Sequence, residues 1–158
     1  MEIGTPAENF TLSDDMGQEL SLSELRGQWV VVYFYPRDNT SGCTTEALEF
    51  TALQPEFAAL GAVIVGISPD SCESHRKFKI KHDLGIRLLS DPGHLVMSVY
   101  GAWGEKKMYG RISQGVIRST ILIDPDGNIA CHWPRVRARG HAEKVLAALR
   151  ERREIEGE

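Results

Sequence analysis

Thiols are scarce in this 158-residue chain, which holds only Cys43, Cys72 and Cys131. An odd number at wide spacing excludes a secreted disulfide framework. No two of them stand in a C-x-x-C pair, so neither a zinc knuckle nor a thioredoxin-type dithiol is present. No apolar run reaches the length needed to cross a bilayer. Charge of one sign is not in excess: 18 Lys and Arg against 22 Asp and Glu leave a formal net charge of −4. That balance gives no attraction to nucleic acid or to an anionic membrane. Repeats, low-complexity tracts and Ser/Gly/Pro linkers are also lacking. Met1 leads straight into Glu2 without a basic start and an apolar run, so no signal peptide is expected. The expected compartment is a reducing cytoplasm. His75, His82, His94, His132 and His141 form no close pair at metal-ligand spacing, and neither a metal nor another bound cofactor is expected.

What is present is an ordinary globular balance, 42% hydrophobic and 25% charged. The chain is long enough for one domain over residues 1–158 to bury a core without staples. Thr11-Leu12 and Leu20-Ser21-Leu22 flank a polar turn and predict an N-terminal β-hairpin. Ser21 and Glu24 have capping-box spacing for one helical turn ending at Gly27. The valine-rich run Trp29–Tyr35 reads as a strand covered on both faces. From Thr44 the period becomes helical, with Phe50, Leu53, Phe57 and Leu60 on one face. Pro55 predicts a kink there or the start of a second short helix.

Ala62–Ile67 is a second buried strand. Asp70 and Glu73 are positioned to cap a helix running to about His82, with Gly85 just beyond. A short strand over 87–89 and a weak helix over 95–100 follow. Asp124-Pro125-Asp126-Gly127-Asn128 turns a hairpin between Thr120–Ile123 and Ile129–Trp133. A last amphipathic helix spans His141–Arg150, and the highly charged 151–158 is expected to fray. This order predicts an α/β fold: a central mixed β-sheet with helices on both faces.

Cys43 stands where the first buried strand gives way to a helix. A thiol there meets unpaired N–H groups and the positive end of the helix dipole, and both favour the thiolate, the nucleophilic form. It also lies beyond the carboxyl end of a sheet strand, where ligands of such sheets bind. Pro36 rigidifies the strand exit and shields the sulfur. Thr40 brings a hydroxyl within reach of sulfur and substrate. The amides around Gly42, Cys43 and Thr44 supply donors aimed at charge developing on a departing oxygen.

Pro36-x-x-x-Thr40-x-x-Cys43 resembles the active-site motif of the peroxiredoxins. Tyr33-Phe34-Tyr35-Pro36 and Gly42-Cys43-Thr44-Thr45-Glu46 resemble the Q-type branch named for bacterioferritin comigratory protein. Similar stretches continue through Gly66–Ser71, Leu88–Pro92, Tyr100–Lys106, Arg118–Asp124 and Gly140-His141-Ala142. The resemblance implies a thioredoxin-like fold and a thiol peroxidase acting on hydrogen peroxide and organic hydroperoxides. It makes Cys43 the peroxidatic nucleophile, Thr40 its hydroxyl partner, Pro36 the shield and Arg118 the activating guanidinium. Glu46 is expected to orient Arg118 through a salt bridge. Thioredoxin is the implied electron donor, with glutaredoxin or glutathione as alternatives, and a monomer or weak homodimer is the implied assembly.

Two departures matter. Ser41 stands where many relatives have proline, which costs loop rigidity. The usual resolving cysteines are missing, because Leu48 and Lys79 occupy their positions. Cys72, at the start of the helix after the second strand, is the substitute; the alternative is a one-cysteine cycle reduced by an external thiol. Cys131 is assigned to apolar packing. Taken alone, a cysteine behind a glycine at a helix start is more often structural than catalytic, and Arg118 taken alone is a surface charge. Trp103 and Tyr109, in the Gly-rich stretch 101–115, read either as surface-loop packing or as a collar for an alkyl peroxide. Arg135, Arg137 and Arg139 alternate like an exposed strand edge. A disulfide exchanger without peroxidase activity and a peroxide sensor or holdase are the rival classes.

Overall fold

The computed structural model describes residues 2–156. Among the described residues, nine strands and four α-helices follow one another as β1 (Thr11–Asp14), β2 (Glu19–Ser21), β3 (Trp29–Phe34), α1 (Ser41–Ala59), β4 (Ala62–Ser68), α2 (Cys72–His82), β5 (Arg87–Ser90), α3 (Leu95–Val99), β6 (Trp103–Met108), β7 (Arg111–Val116), β8 (Ser119–Ile123), β9 (Ile129–Trp133) and α4 (His141–Glu156), with a 3-10 turn over Leu22–Leu25. Seven strands form one mixed sheet in the order β2-β1-β5-β4-β3-β8-β9. β3, β4 and β5 run parallel, and β8 returns antiparallel beside β3.

β3 is central, and all six of its residues are buried. Alternation along it splits the core in two. Val31, Tyr33 and Tyr35 face Phe50, Phe57, Phe78 and the α4 residues Val145 and Leu149. Val30, Val32 and Phe34 face Phe10, Met97 and Tyr100. Helices therefore cover both faces, as the strand and helix order predicted. The N-terminal hairpin is also present, its turn held by Asp14 Oδ1, which accepts from the amides of Met16 and Gln18 at 2.9 Å.

Several local expectations are corrected. α1 runs unbroken through Pro55, because packing of Phe50 and Phe57 outweighs one lost backbone hydrogen bond. The capping box does not form: the Ser21 hydroxyl bonds Thr11, and Asn9 Oδ1 takes the Ser23 amide. Ser71, not Asp70, caps α2, and Asp83 in the left-handed region ends it ahead of Gly85. Residues 101–115 are not loop but the hairpin β6–β7, turned by Tyr109 and Gly110 with φ of 54° and 76°. Tyr109 is 98% exposed and forms no collar. Arg135, Arg137 and Arg139 are exposed but lie in irregular chain after β9. The last helix does not stop at Arg150. It continues to Glu156, with Arg152 donating to Ala130 O at 2.7 Å and Arg153 to Leu60 O at 2.6 Å. Gly157 and Glu158 lie outside the described residues.

Candidate active site

β3 ends at Phe34, and Tyr35 adds one more bond, from its amide to Ile67 O at 3.1 Å. Pro36 follows, half-buried, and cannot extend the ladder because it lacks an N–H. Asn39 takes φ 64°, a conformation asparagine tolerates, and turns the chain into α1. Thr40 is the extended residue before the helix, and its carbonyl accepts from Thr44 N at 2.9 Å. Its hydroxyl does not cap the helix; it donates to Arg37 O at 2.8 Å. The first-turn amides of α1 are thus left without a side-chain cap, facing the surroundings of Cys43.

Cys43 is 1% exposed. Arg118 Nη2 lies 3.1 Å from its Sγ, and Arg118 Nη1 donates to Glu46 Oε1 at 2.6 Å. This meeting follows from sheet register. Ser119 pairs with Phe34, so antiparallel β8 begins where β3 ends and Arg118 arrives at the carboxyl edge of the sheet. Gly42 makes room for it, since a Cβ there would stand 3.3 Å from Arg118 Nη2.

Glu46 is fully buried, and its Oε2 has no hydrogen-bond partner among the described residues. Burial pushes its carboxyl up to about 7, against the pull of Arg118. Burial alone would lower Arg118, but the Glu46 carboxylate and the Cys43 sulfur outweigh it and hold the guanidinium above its ordinary value. The guanidinium therefore stays charged while shared between one oxygen and one sulfur.

Cys72 opens α2 at the same edge of the sheet and is half-buried; all three cysteines are free thiols. Its side chain makes no hydrogen bond with the Cys43 group among the described residues. Cys131 packs, partly buried, against the core. The structure thus brings together Cys43, Arg118 and Glu46, sets Pro36 and Thr40 on the loop leading to them, and keeps Cys72 at the start of α2.

Three participants escaped the sequence reading. Lys106 lies close enough to Arg118 and Cys43 to feel both; burial first and then Arg118 lower it, while Cys43 acts the other way. Its stem crosses Gly115, where a Cβ would meet Lys106 Cδ at 3.3 Å. Recognising the β6–β7 hairpin was the missing step. Tyr33 lies beneath the site, its ring stacked on Phe50 and its hydroxyl buried without a partner among the described residues. Burial raises it well above its ordinary value, with Glu46 and Cys43 adding to the shift. The third is a buried polar network. Asp38 accepts from Tyr35 Oη at 2.7 Å and Ser74 Oγ at 2.8 Å, and pairs with His75 Nδ1 at 2.8 Å. His75 Nε2 lies 2.9 Å from Leu89 O.

The chain is similar to known proteins over most of its length. A family model described as AhpC/TSA matches residues 3–132. The chain is similar to peroxiredoxin Bcp of Bacillus subtilis (strain 168), at 42% identity over 96% of each chain. It is also similar to a putative peroxiredoxin of Mycobacterium tuberculosis (strain ATCC 25618 / H37Rv), at 45% identity over 92% of this chain and 93% of the other. Among solved structures, Xanthomonas campestris bacterioferritin comigratory protein, studied for alkyl peroxide reduction, superposes with a TM-score of 0.88 at 39% identity, covering 96% and 99% of the two chains. A cysteine-to-serine mutant of Xylella fastidiosa PrxQ superposes with a TM-score of 0.90 at 38% identity, covering 96% and 97%. The fold is that of the thioredoxin-like peroxiredoxins, and the chain belongs to the AhpC/TSA family, within its Q-type, bacterioferritin-comigratory-protein branch.

Proposed function

We propose that the protein is a thiol-dependent peroxidase in which Cys43 is the peroxidatic nucleophile and Arg118 its activating cation. The observation that carries this reading is the 3.1 Å approach of Arg118 Nη2 to Cys43 Sγ, with the other guanidinium nitrogen anchored by Glu46 at 2.6 Å. A cation at that distance, together with open amides at a helix start, stabilises negative charge on sulfur. The thiolate attacks the terminal oxygen of a hydroperoxide. An S–O bond forms as the O–O bond breaks, leaving a sulfenic acid on Cys43 and an alkoxide that takes a proton to become an alcohol, or water when the substrate is hydrogen peroxide. Arg118 and the first-turn amides are already aimed at the charge that moves onto the departing oxygen. Thr40 orients the substrate, Pro36 limits water at the sulfur, and Glu46 fixes the guanidinium.

The sulfenic acid is then condensed with a second thiol, releasing water. Cys72 is the candidate within the chain, and a one-cysteine cycle using an external thiol is the alternative. Because Cys43 is almost wholly buried, the first turn of α1 unwinds before a disulfide with Cys72 forms, as the short Cα separation of a disulfide demands. Thioredoxin is the proposed reductant, with glutaredoxin or glutathione as alternatives, and the whole chain acts as one cytoplasmic domain, monomeric or weakly dimeric. Cys43→Ser is expected to abolish peroxide consumption; turnover retained in that variant removes the assignment. Intact-mass analysis after one equivalent of peroxide separates the two cycles. A Cys43–Cys72 crosslink supports the first, and a sulfenate persisting on Cys43 supports the second.

A further inference from the structure

The segment Ser68-Pro69-Asp70-Ser71 has no part in the chemistry above, yet it reaches the catalytic loop at one point. Asp38 N donates to Asp70 Oδ2 at 2.7 Å. At the other end of the same peptide unit, Arg37 O accepts the Thr40 hydroxyl at 2.8 Å. A peptide unit is planar, so fixing its N–H end fixes its C=O end. We propose that Asp70 is a positioning residue for Thr40, acting through the Arg37–Asp38 peptide plane; this rests on the substrate-orienting role given to Thr40 above.

Three features carry the inference. Asp70 is itself held, with Ser68 Oγ donating to Oδ2 at 2.7 Å and the Ser90 hydroxyl donating to its backbone carbonyl. The carboxylate makes the Asp38 N–H bond charge-assisted, and polarisation of the amide strengthens Arg37 O as an acceptor. With its proton committed to Arg37 O, Thr40 Oγ1 keeps two lone pairs for a hydroperoxide O–H, which is a donor. Rotation of the plane would release that proton and turn Thr40 from a fixed acceptor into a free rotor. The Asp38 side chain resists such rotation, being gripped by Tyr35, Ser74 and His75. Asp38, Asp70 and His75 also group their ligand-type atoms within 4.8 Å of one another. Each of these atoms already has a protein hydrogen-bond partner, so the grouping reads as a network and not as a cation site.

The test is a double-mutant cycle on single-turnover oxidation of the reduced protein by hydrogen peroxide, with Cys43 ionisation followed by thiolate absorbance. Asp70→Ala is expected to slow the peroxide step about tenfold. Asp70→Asn, whose amide oxygen accepts the same N–H, should stay within about threefold of the parent. In a Thr40→Val background Asp70→Ala should cause no further loss, and the thiolate titration should be the same in all variants. Should Asp70→Ala fail to fold, Asp70→Asn carries the cycle, with a smaller slowing that again vanishes in Thr40→Val. Asp70→Ala at the parent rate (or, where it fails to fold, Asp70→Asn at that rate), losses that multiply with Thr40→Val, or a displaced thiolate titration each overturn the inference alone. Thr40→Val at the parent rate removes the role given to Thr40 and this inference with it.

Discussion

A methyl group on Gly42 would press on Arg118 from a distance at which the guanidinium has to shift. Gly42→Ala is therefore expected to keep the fold and lower the peroxide rate constant by about tenfold, the cost of misplacing one electrostatic donor. A rate unchanged in stopped-flow oxidation would count against the Arg118 contact. Glu46 yields a prediction in stability. Its carboxyl titrates at an ordinary 4.5 when exposed and at about 7 in the folded chain. Between those values the folded chain holds a proton that the unfolded chain has lost. The stabilisation is full below 4.5 and disappears as pH rises through 7. His141 acts oppositely: burial first, then Lys144 and Arg118, lower it from 6.5 to about 4, so its contribution is full above 6.5 and lost as pH falls through 4. Glu46→Gln removes only the first effect. From pH 5 to 8 its stability should gain on the parent by about 2–3 kcal/mol; a constant difference in denaturant titrations refutes the assigned cause. At this scale the sequence marked Cys43 on physical grounds, because a thiol at a strand-to-helix switch has definite electrostatics. Arg118 was legible only through family resemblance, since a contact between residues 43 and 118 depends on sheet register that spacing does not encode.

The β3–α1 junction was the most legible element, because a valine run and a helical period meet there without ambiguity. β6 and β7 were not legible: glycines at 104 and 115 and charges at 105, 106 and 107 blur the alternation, and Tyr-Gly is an unusual pair for a turn with two positive φ values. The α2 cap was misassigned for a related reason. Asp70 has the right chemistry for a cap, but Ser68 and Asp38 already engage its carboxylate, leaving Ser71 to accept from Ser74 N at 3.1 Å. In β4, Gly66 pairs with Tyr33, and a Cβ there would lie 2.7 Å from Tyr33 Cζ, inside a fully buried ring. Gly66→Ala should destabilise by about 1–3 kcal/mol, as overpacked cores do. Thermal melting at the parent midpoint would show that the ring has somewhere to go. If Cys72 resolves Cys43, amides of residues 41–45 should lose hydrogen-exchange protection on oxidation while β3 keeps its own.

Across the whole molecule, α4 closes the sheet face on which Cys43 sits. Val145 and Leu149 enter the core, and the two arginines beyond them bind carbonyls of β9 and of the α1 end. The helix end was expected at Arg150 and lies at Glu156, because composition reports solvation and not the acceptors that a fold brings near. Deleting residues 151–158 should cost about 1.5–3 kcal/mol, the range for one lost hydrogen bond to a charged donor, that of part-buried Arg152, with the exposed Arg153 bond adding little. Calorimetry showing no loss would return that segment to the role of a free tail. The seclusion of Cys43, 1% exposed in the intact helix start, bears on timing as well. On the cycle proposed above, a reductant would meet the sulfur after the first turn has opened, so the packing itself would schedule the two half-reactions.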